Sequence, residues 1–234
     1  MKELIASAKE NVLFLLVCLA VSAVLLLVGK LGDRLRDPRP VHNTRYVVIV
    51  AMCGALSGLL MLLEFPLLII APAFYKLDFG DLPALFAGIW LGPMAGVISE
   101  LLKVLLKLVL KGTSSAFVGE FASFLVGCSL VLPVSLLARK QTKKCLDLSL
   151  GVGILSLAVV GPIFNYFYLI PRYAALFGMP LEAILSAGAA IVPAANTLFA
   201  FAALIVAPFN LIKGVLVSII AYFLAPRLRK AVRL

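Results

Sequence analysis

Long apolar runs alternate with short polar ones along the whole chain. The first run covers residues 12–28 and leads into a basic segment at 30–45. A second covers 46–65, after which Pro66 and Pro72 break the pattern and 75–81 reads as a polar outer loop. A third, shorter run covers 82–91. Gly92-Pro93 marks a turn, and a fourth run follows at 94–110. Residues 111–115 form the next polar gap. A fifth run at 116–137 ends in a basic loop, and a sixth at 148–170 ends at Pro171-Arg172. The last apolar stretch, 181–225, is too long for one simple crossing. Pro193 and Pro208 divide it, so 209–226 is expected to cross and the preceding part to lie at, or dip into, the outer face. Runs near twenty residues are the signature of membrane-spanning helices. The pattern therefore predicts an all-α polytopic membrane protein with seven spans. Irregular backbone at membrane depth must be covered by protein or line a cavity, which makes the stretch before Pro208 an expected pocket wall.

Composition agrees: of 234 residues, 63% are hydrophobic and only 14% charged, leaving no segment for a soluble catalytic domain. The net charge of +10 could imply nucleic acid, but its placement argues for topology. Arg34, Arg36, Arg39 and Arg45 form one cluster, Arg139, Lys140, Lys143 and Lys144 another, and Arg227, Arg229, Lys230 and Arg233 a third. The seven-span order puts all three on one side, as the positive-inside rule requires of the cytoplasmic face. The C-terminus is thus expected in the cytoplasm of a plasma-membrane protein, and the first span is a retained helix, not a cleaved signal. Cys18, Cys53, Cys128 and Cys145 are scattered and His42 is the single histidine, so neither a metal site nor a disulfide framework is expected. The phosphate-cradling G-x-x-x-x-G-K-[ST] loop is absent, so any uphill transport draws its energy from a partner or an ion gradient.

Polar side chains inside apolar spans are costly and mark sites. Asn210 and Lys213 are three residues apart and share a helix face, and Asn165 falls near the same membrane level. They either converge on a ligand or act as interhelical glue with a snorkelling lysine. Lys103, Lys107 and Lys111 recur every four residues, with Glu100 and Glu120 as candidate partners. They line a polar cavity or form a solvated helix end, the latter favoured for Lys107 and Lys111. Ala51, Gly54, Ala55 and Gly58 form a smooth stripe for a closely approaching helix, internal or external. No paired acids or histidines that would serve catalysis are evident within the spans.

Several stretches together resemble the riboflavin-specific S components (the RibU family) of energy-coupling factor (ECF) transporters. They are Leu77-Asp78-Phe79-Gly80-Asp81-Leu82-Pro83, Gly92-Pro93-Met94-Ala95-Gly96, Lys111-Gly112-Thr113-Ser114 with Val118-Gly119-Glu120-Phe121-Ala122, Asn165-Tyr166-Phe167, and Pro208-Phe209-Asn210-Leu211-Ile212-Lys213-Gly214. The resemblance implies a six-helix riboflavin-binding domain at 45–234, preceded by an extra transmembrane helix and basic linker at 1–44. It implies no enzymatic activity and no cofactor. The partners it implies are riboflavin, a transmembrane coupling protein and two ABC-type ATPases. The ligand positions fall on Asn165, Asn210 and Lys213, to which Asp78 and Glu120 are added from the matching stretches. The contact with the coupling protein falls on Ala51 and Ala55. Ser123 departs from the family pattern, where asparagine is expected. A flat ring with one polar edge calls for apolar walls with a few placed polar groups. Phe164, Phe167, Tyr168 and Phe209 are available for the walls. An S component for another vitamin or flavin such as FMN, and a non-transporting scaffold, are the competing readings.

Overall fold

In the computed structural model, residues 12–36, 44–72, 74–113, 115–138 and 142–231 are described. Arg39, His42, Ser114, Arg139, Lys140 and Arg233 lie outside them. Helices α1 (Val12–Arg36) and α2 (Thr44–Leu62) come first. A short antiparallel pair follows, β1 (Phe65–Pro66) with β2 (Lys76–Leu77), setting Phe65 opposite Leu77. Next come α3 (Asp81–Leu91), α4 (Pro93–Lys111) and α5 (Val118–Leu137). Gly92 joins α3 to α4 at φ +117°, a conformation open to glycine and strained for other residues, so the expected turn is real.

The two proline-bearing stretches differ from expectation. The sixth span does not end at Pro171. Helix α6 (Lys143–Phe164) continues through a π-helical segment (Asn165–Leu169) into α7 (Ile170–Phe177). Nor does Pro208 divide the last stretch. After α8 (Leu181–Ala189) and a loop, α9 (Leu198–Phe201), a second π segment (Ala202–Val206) and α10 (Ala207–Ala231) form one continuous helix. Each π segment ends two residues before a proline. A proline lacks the N–H for the i→i−4 bond and crowds the carbonyl at i−4. The widened turn answers this with i→i−5 bonds, Ile170 N–H donating to the Asn165 carbonyl and Ala207 N–H to that of Ala202.

Among the described residues five helices are long and apolar enough to cross a membrane, and the shorter α3 and the charge-bearing α4 lie among them. Leu16, Leu19, Leu27, Val109, Leu155 and Phe223 are more than half exposed, as lipid-facing side chains are. The chain is a multi-pass membrane protein. Two clusters are the largest of its interior among the described residues. One joins Leu85, Phe86 and Ile89 of α3 to Leu130 and Val134 of α5, Leu157 of α6 and Val217 of α10. The other lies at the opposite end from the basic clusters, where Leu77 and Tyr75 pack with Ile170, Ile184, Phe201 and Phe209.

Helix α1 packs mainly on α4, with Leu25 and Leu26 against Val97, Val104 and Phe124. Near its start, Phe14 stacks on Tyr168 and meets Phe121 edge-on. The small-residue stripe of α2 divides in two. Gly54 and Gly58 face inward, where an added Cβ would press on Leu102 and Leu106 of α4. Ala51 and Ala55 point outward and are exposed. The stripe thus has an internal partner on one half and an uncovered surface on the other.

Candidate ligand-binding site

Lys213 sits nearly two turns into α10 and is only 7% exposed. Its ammonium lies 3.2 Å from Asp78 Oδ2 and 2.8 Å from Asp81 Oδ2. Asp81 also pairs with Lys103 of α4 at 2.5 Å, and Lys103 pairs with Glu100 one turn away at 2.5 Å. Asp81, Glu100 and Lys103 have no exposed surface. The charges thus run in a chain from Glu100 through Lys103 and Asp81 to Lys213 and Asp78, tying α3, α4 and α10 together. A buried charge is tolerated only when paired, since its desolvation costs several kcal/mol. The pairing explains why so polar a group persists in an apolar bundle.

The 75–81 stretch is therefore not a solvated loop. It turns inward because Asp78 and Asp81 are drawn to buried lysines. Asp78 also accepts a 2.8 Å bond from the Gly80 N–H, the local turn that aspartate favours.

Asn165 and Asn210 meet over Gly161. Asn165 Nδ2 donates to the Gly161 carbonyl at 2.8 Å. The Asn210 amide lies where a side chain at position 161 would otherwise be. The Asn165 carbonyl accepts a 2.5 Å bond from the Tyr75 hydroxyl. Burial pushes that hydroxyl's pKa up, so it remains a donor. The Tyr75 ring packs on Phe209 and Phe201, with centroids 5.5 and 6.2 Å away. Asn165 and Asn210 thus share Gly161, and Lys213, three residues beyond Asn210 on α10, pairs with Asp78, three residues beyond Tyr75. Phe209 is buried beside Tyr75, whereas Phe164 and Tyr168 are half-buried in a separate cluster with Phe14 and Phe121, and Phe167 is 74% exposed and faces outward, not into a pocket wall.

Glu120 belongs to a separate cluster at the start of α5. It accepts from Thr113 at 2.9 Å and Ser115 at 3.1 Å, with Lys107 at 3.8 Å. Lys111, at the exposed end of α4, pairs with Glu64 at 2.6 Å, as does Lys76 of β2 at 2.9 Å. Burial raises the Glu64 carboxyl, but these two lysines outweigh it and hold the group below the usual carboxylate range. The Lys111 pair pins the stretch after α2 to α4, and the Lys76 pair closes that stretch on itself.

Asp81 and Tyr75 were missed as site residues by the sequence reading. A signal existed for Asp81: it lies three residues from Asp78 in a stretch bordering the apolar spans that carry Lys103 and Lys213, which need carboxylate partners. None existed for Tyr75, whose inward turn depends on the fold.

The family described as ECF transporter, substrate-specific component, matches residues 45–225. The chain is similar to the riboflavin transporter FmnP of Bacillus subtilis, 29% identical over 76% of this chain and 88% of that one. It is also similar to the riboflavin transporter RibU of Staphylococcus aureus, 31% identical over 80% and 92%. A solved S component of a bacterial ECF transporter superposes with a TM-score of 0.62 at 30% identity, over 81% of this chain and 98% of that one.

Proposed function

Because the chain belongs to the family of ECF transporter substrate-specific components, we propose that it captures riboflavin for uptake powered by a separate ATPase module. The observation that carries this reading is the approach of Asn165 and Asn210 to one glycine of an apolar bundle, with buried Lys213 one turn beyond Asn210. Two amides offer donors and acceptors to the polar edge of a flat ring, and lysine adds donors. Phe209, packed on Tyr75, supplies aromatic surface. The names of the relatives support riboflavin over another vitamin.

In this reading the pocket end faces outside, and the basic end, with the C-terminus, faces the cytoplasm. Lys213 and Asp78 hold or orient the ligand, and Glu120 shapes the rim. The chain performs no chemistry on its cargo and needs no cofactor. Its outward-facing Ala51 and Ala55 let a transmembrane coupling protein approach closely, and two ABC-type ATPases drive that protein. Residues 1–44 are an appended helix and linker, and 45–234 the binding domain. Helix α1 leaves Ala51 and Ala55 uncovered, which suits this arrangement.

The test is spectroscopic. The chain purified in detergent should carry flavin absorbance, or quench riboflavin fluorescence saturably on titration. No flavin and no quenching at micromolar ligand would overturn the proposal.

A further inference from the structure

We propose that the basic end of the bundle holds a binding site for an anionic phospholipid, with the headgroup phosphate seated on Arg229 and Lys230. This site lies apart from the ligand region and does not depend on the riboflavin reading.

A cavity of about 280 Å³ opens there, walled by Ile89, Trp90, Leu146 and Ala225 and bordered by Arg229 and Lys230. Its floor is apolar and no acid lines it. Trp90 stacks on Phe86, with centroids 5.2 Å apart, and donates its indole N–H to the Ala225 carbonyl at 3.2 Å. The indole is thus a fixed wall with its polar group already satisfied.

The Arg229 guanidinium is in the opposite condition, while Lys230 is exposed beside it. Arg229 Nε is buried and has no hydrogen-bond partner. Among the described residues neither Arg229 nor Lys230 forms an ion pair. A buried guanidinium nitrogen without a partner is costly, and an anionic oxygen would satisfy it.

The facing helix adds a second argument. Helix α6, which reaches the cavity at Leu146, begins with Lys143 and Lys144 and has no acid in its first turn. Cations at a helix N-terminus oppose the helix dipole. An anion held between that turn and the end of α10 removes the conflict. The one acid of α6, Asp147, lines a different groove, with Tyr222 and Phe223.

Position selects the kind of anion. The described members of the three basic clusters, at the end of α1, the starts of α2 and α6 and the end of α10, share this end, which the topology sets at the membrane–water interface. Basic pockets between transmembrane helices at that level suit anionic headgroups. The apolar floor fits the glycerol and first acyl carbons of a phospholipid and offers nothing to a free ion.

The test uses the full chain in detergent and native mass spectrometry with phosphatidylglycerol, phosphatidylcholine, and inorganic phosphate as separate probes. Phosphatidylglycerol is expected to be retained at least tenfold better than phosphatidylcholine. Arg229→Gln with Lys230→Gln should erase that preference. Arg34→Gln with Arg227→Gln removes equal charge from exposed positions that do not line the cavity and should leave retention within twofold. A melting curve and size-exclusion profile identify any variant that fails to fold; Arg229→Lys, keeping the charge but losing the guanidinium, then serves in its place and should lower retention. Equal retention of the two lipids would overturn the proposal, as would equal loss in both double variants. Displacement of the lipid by inorganic phosphate at matched concentration would also overturn it, by showing a phosphate site without a lipid.

Discussion

Two faces of α4's neighbourhood differ in kind. On one side, Lys103 and Glu100 meet Asp81, and through it Lys213, in a buried chain of charge. On the other, α4 touches α2 through the bare Cα atoms of Gly54 and Gly58, and α2 turns Ala51 and Ala55 outward. The first face is specified by groups that cannot be left unpaired. The second is specified by the near-absence of side chains. A ligand region needs placed polar groups. A docking surface in lipid needs only close approach, since apolar area there brings no hydrophobic gain over the lipid it replaces. Damage to the first should appear in folding and binding, and damage to the second only in uptake.

The largest effect is expected from Lys103→Met. Asp81 and Glu100 lose a shared buried cation, and breaking such a pair costs about 3–5 kcal/mol. Thermal unfolding in detergent measures it; an unchanged melting temperature would mean the chain of charge is not what holds α3, α4 and α10. Next comes Lys213→Ala, which removes a charged donor from the ligand region. Losing a charged hydrogen bond costs about 1.5–3 kcal/mol, on the order of 10- to 100-fold in riboflavin affinity. Fluorescence titration reads this. Unaltered affinity would confine Lys213 to a structural role with Asp78 and Asp81.

Ala51→Leu combined with Ala55→Leu tests the other face. Affinity should not change, while riboflavin uptake by cells carrying the coupling module should fall at least about tenfold, the equivalent of about 1.4 kcal/mol. Normal uptake would move the docking surface elsewhere. The smallest effect belongs to Tyr75→Phe. Its hydroxyl occupies the Asn165 carbonyl, so removing it frees that acceptor for the ligand. An ordinary hydrogen bond is worth about 0.5–1.5 kcal/mol, so binding should tighten by roughly two- to tenfold. Weaker binding would mean that the Tyr75 hydroxyl serves the ligand itself.

Much of this organisation is legible in the sequence, for a physical reason. The bilayer forces apolar runs of fixed length, so spans can be counted directly. Asn165, Asn210 and Lys213 stand out because polar groups in such runs are rare. What escaped reading depends on geometry absent from spacing. Pro171 and Pro208 look like helix ends, yet π turns carry each helix past them. Asp81 looks like loop polarity, yet it is buried because two lysines from distant helices reach it. The divided stripe on α2 is a matter of rotation, and glycine and alanine reveal only that something comes close.

The most direct test of the central claim is calorimetric titration of riboflavin into the full-length chain and its Asn210→Ala variant, both verified as folded. The account predicts one saturable site in the parent chain and about a tenfold or greater weakening in the variant, the loss expected when a buried amide no longer meets the ligand. Equal affinity in the two proteins, or no binding heat in either, would contradict it.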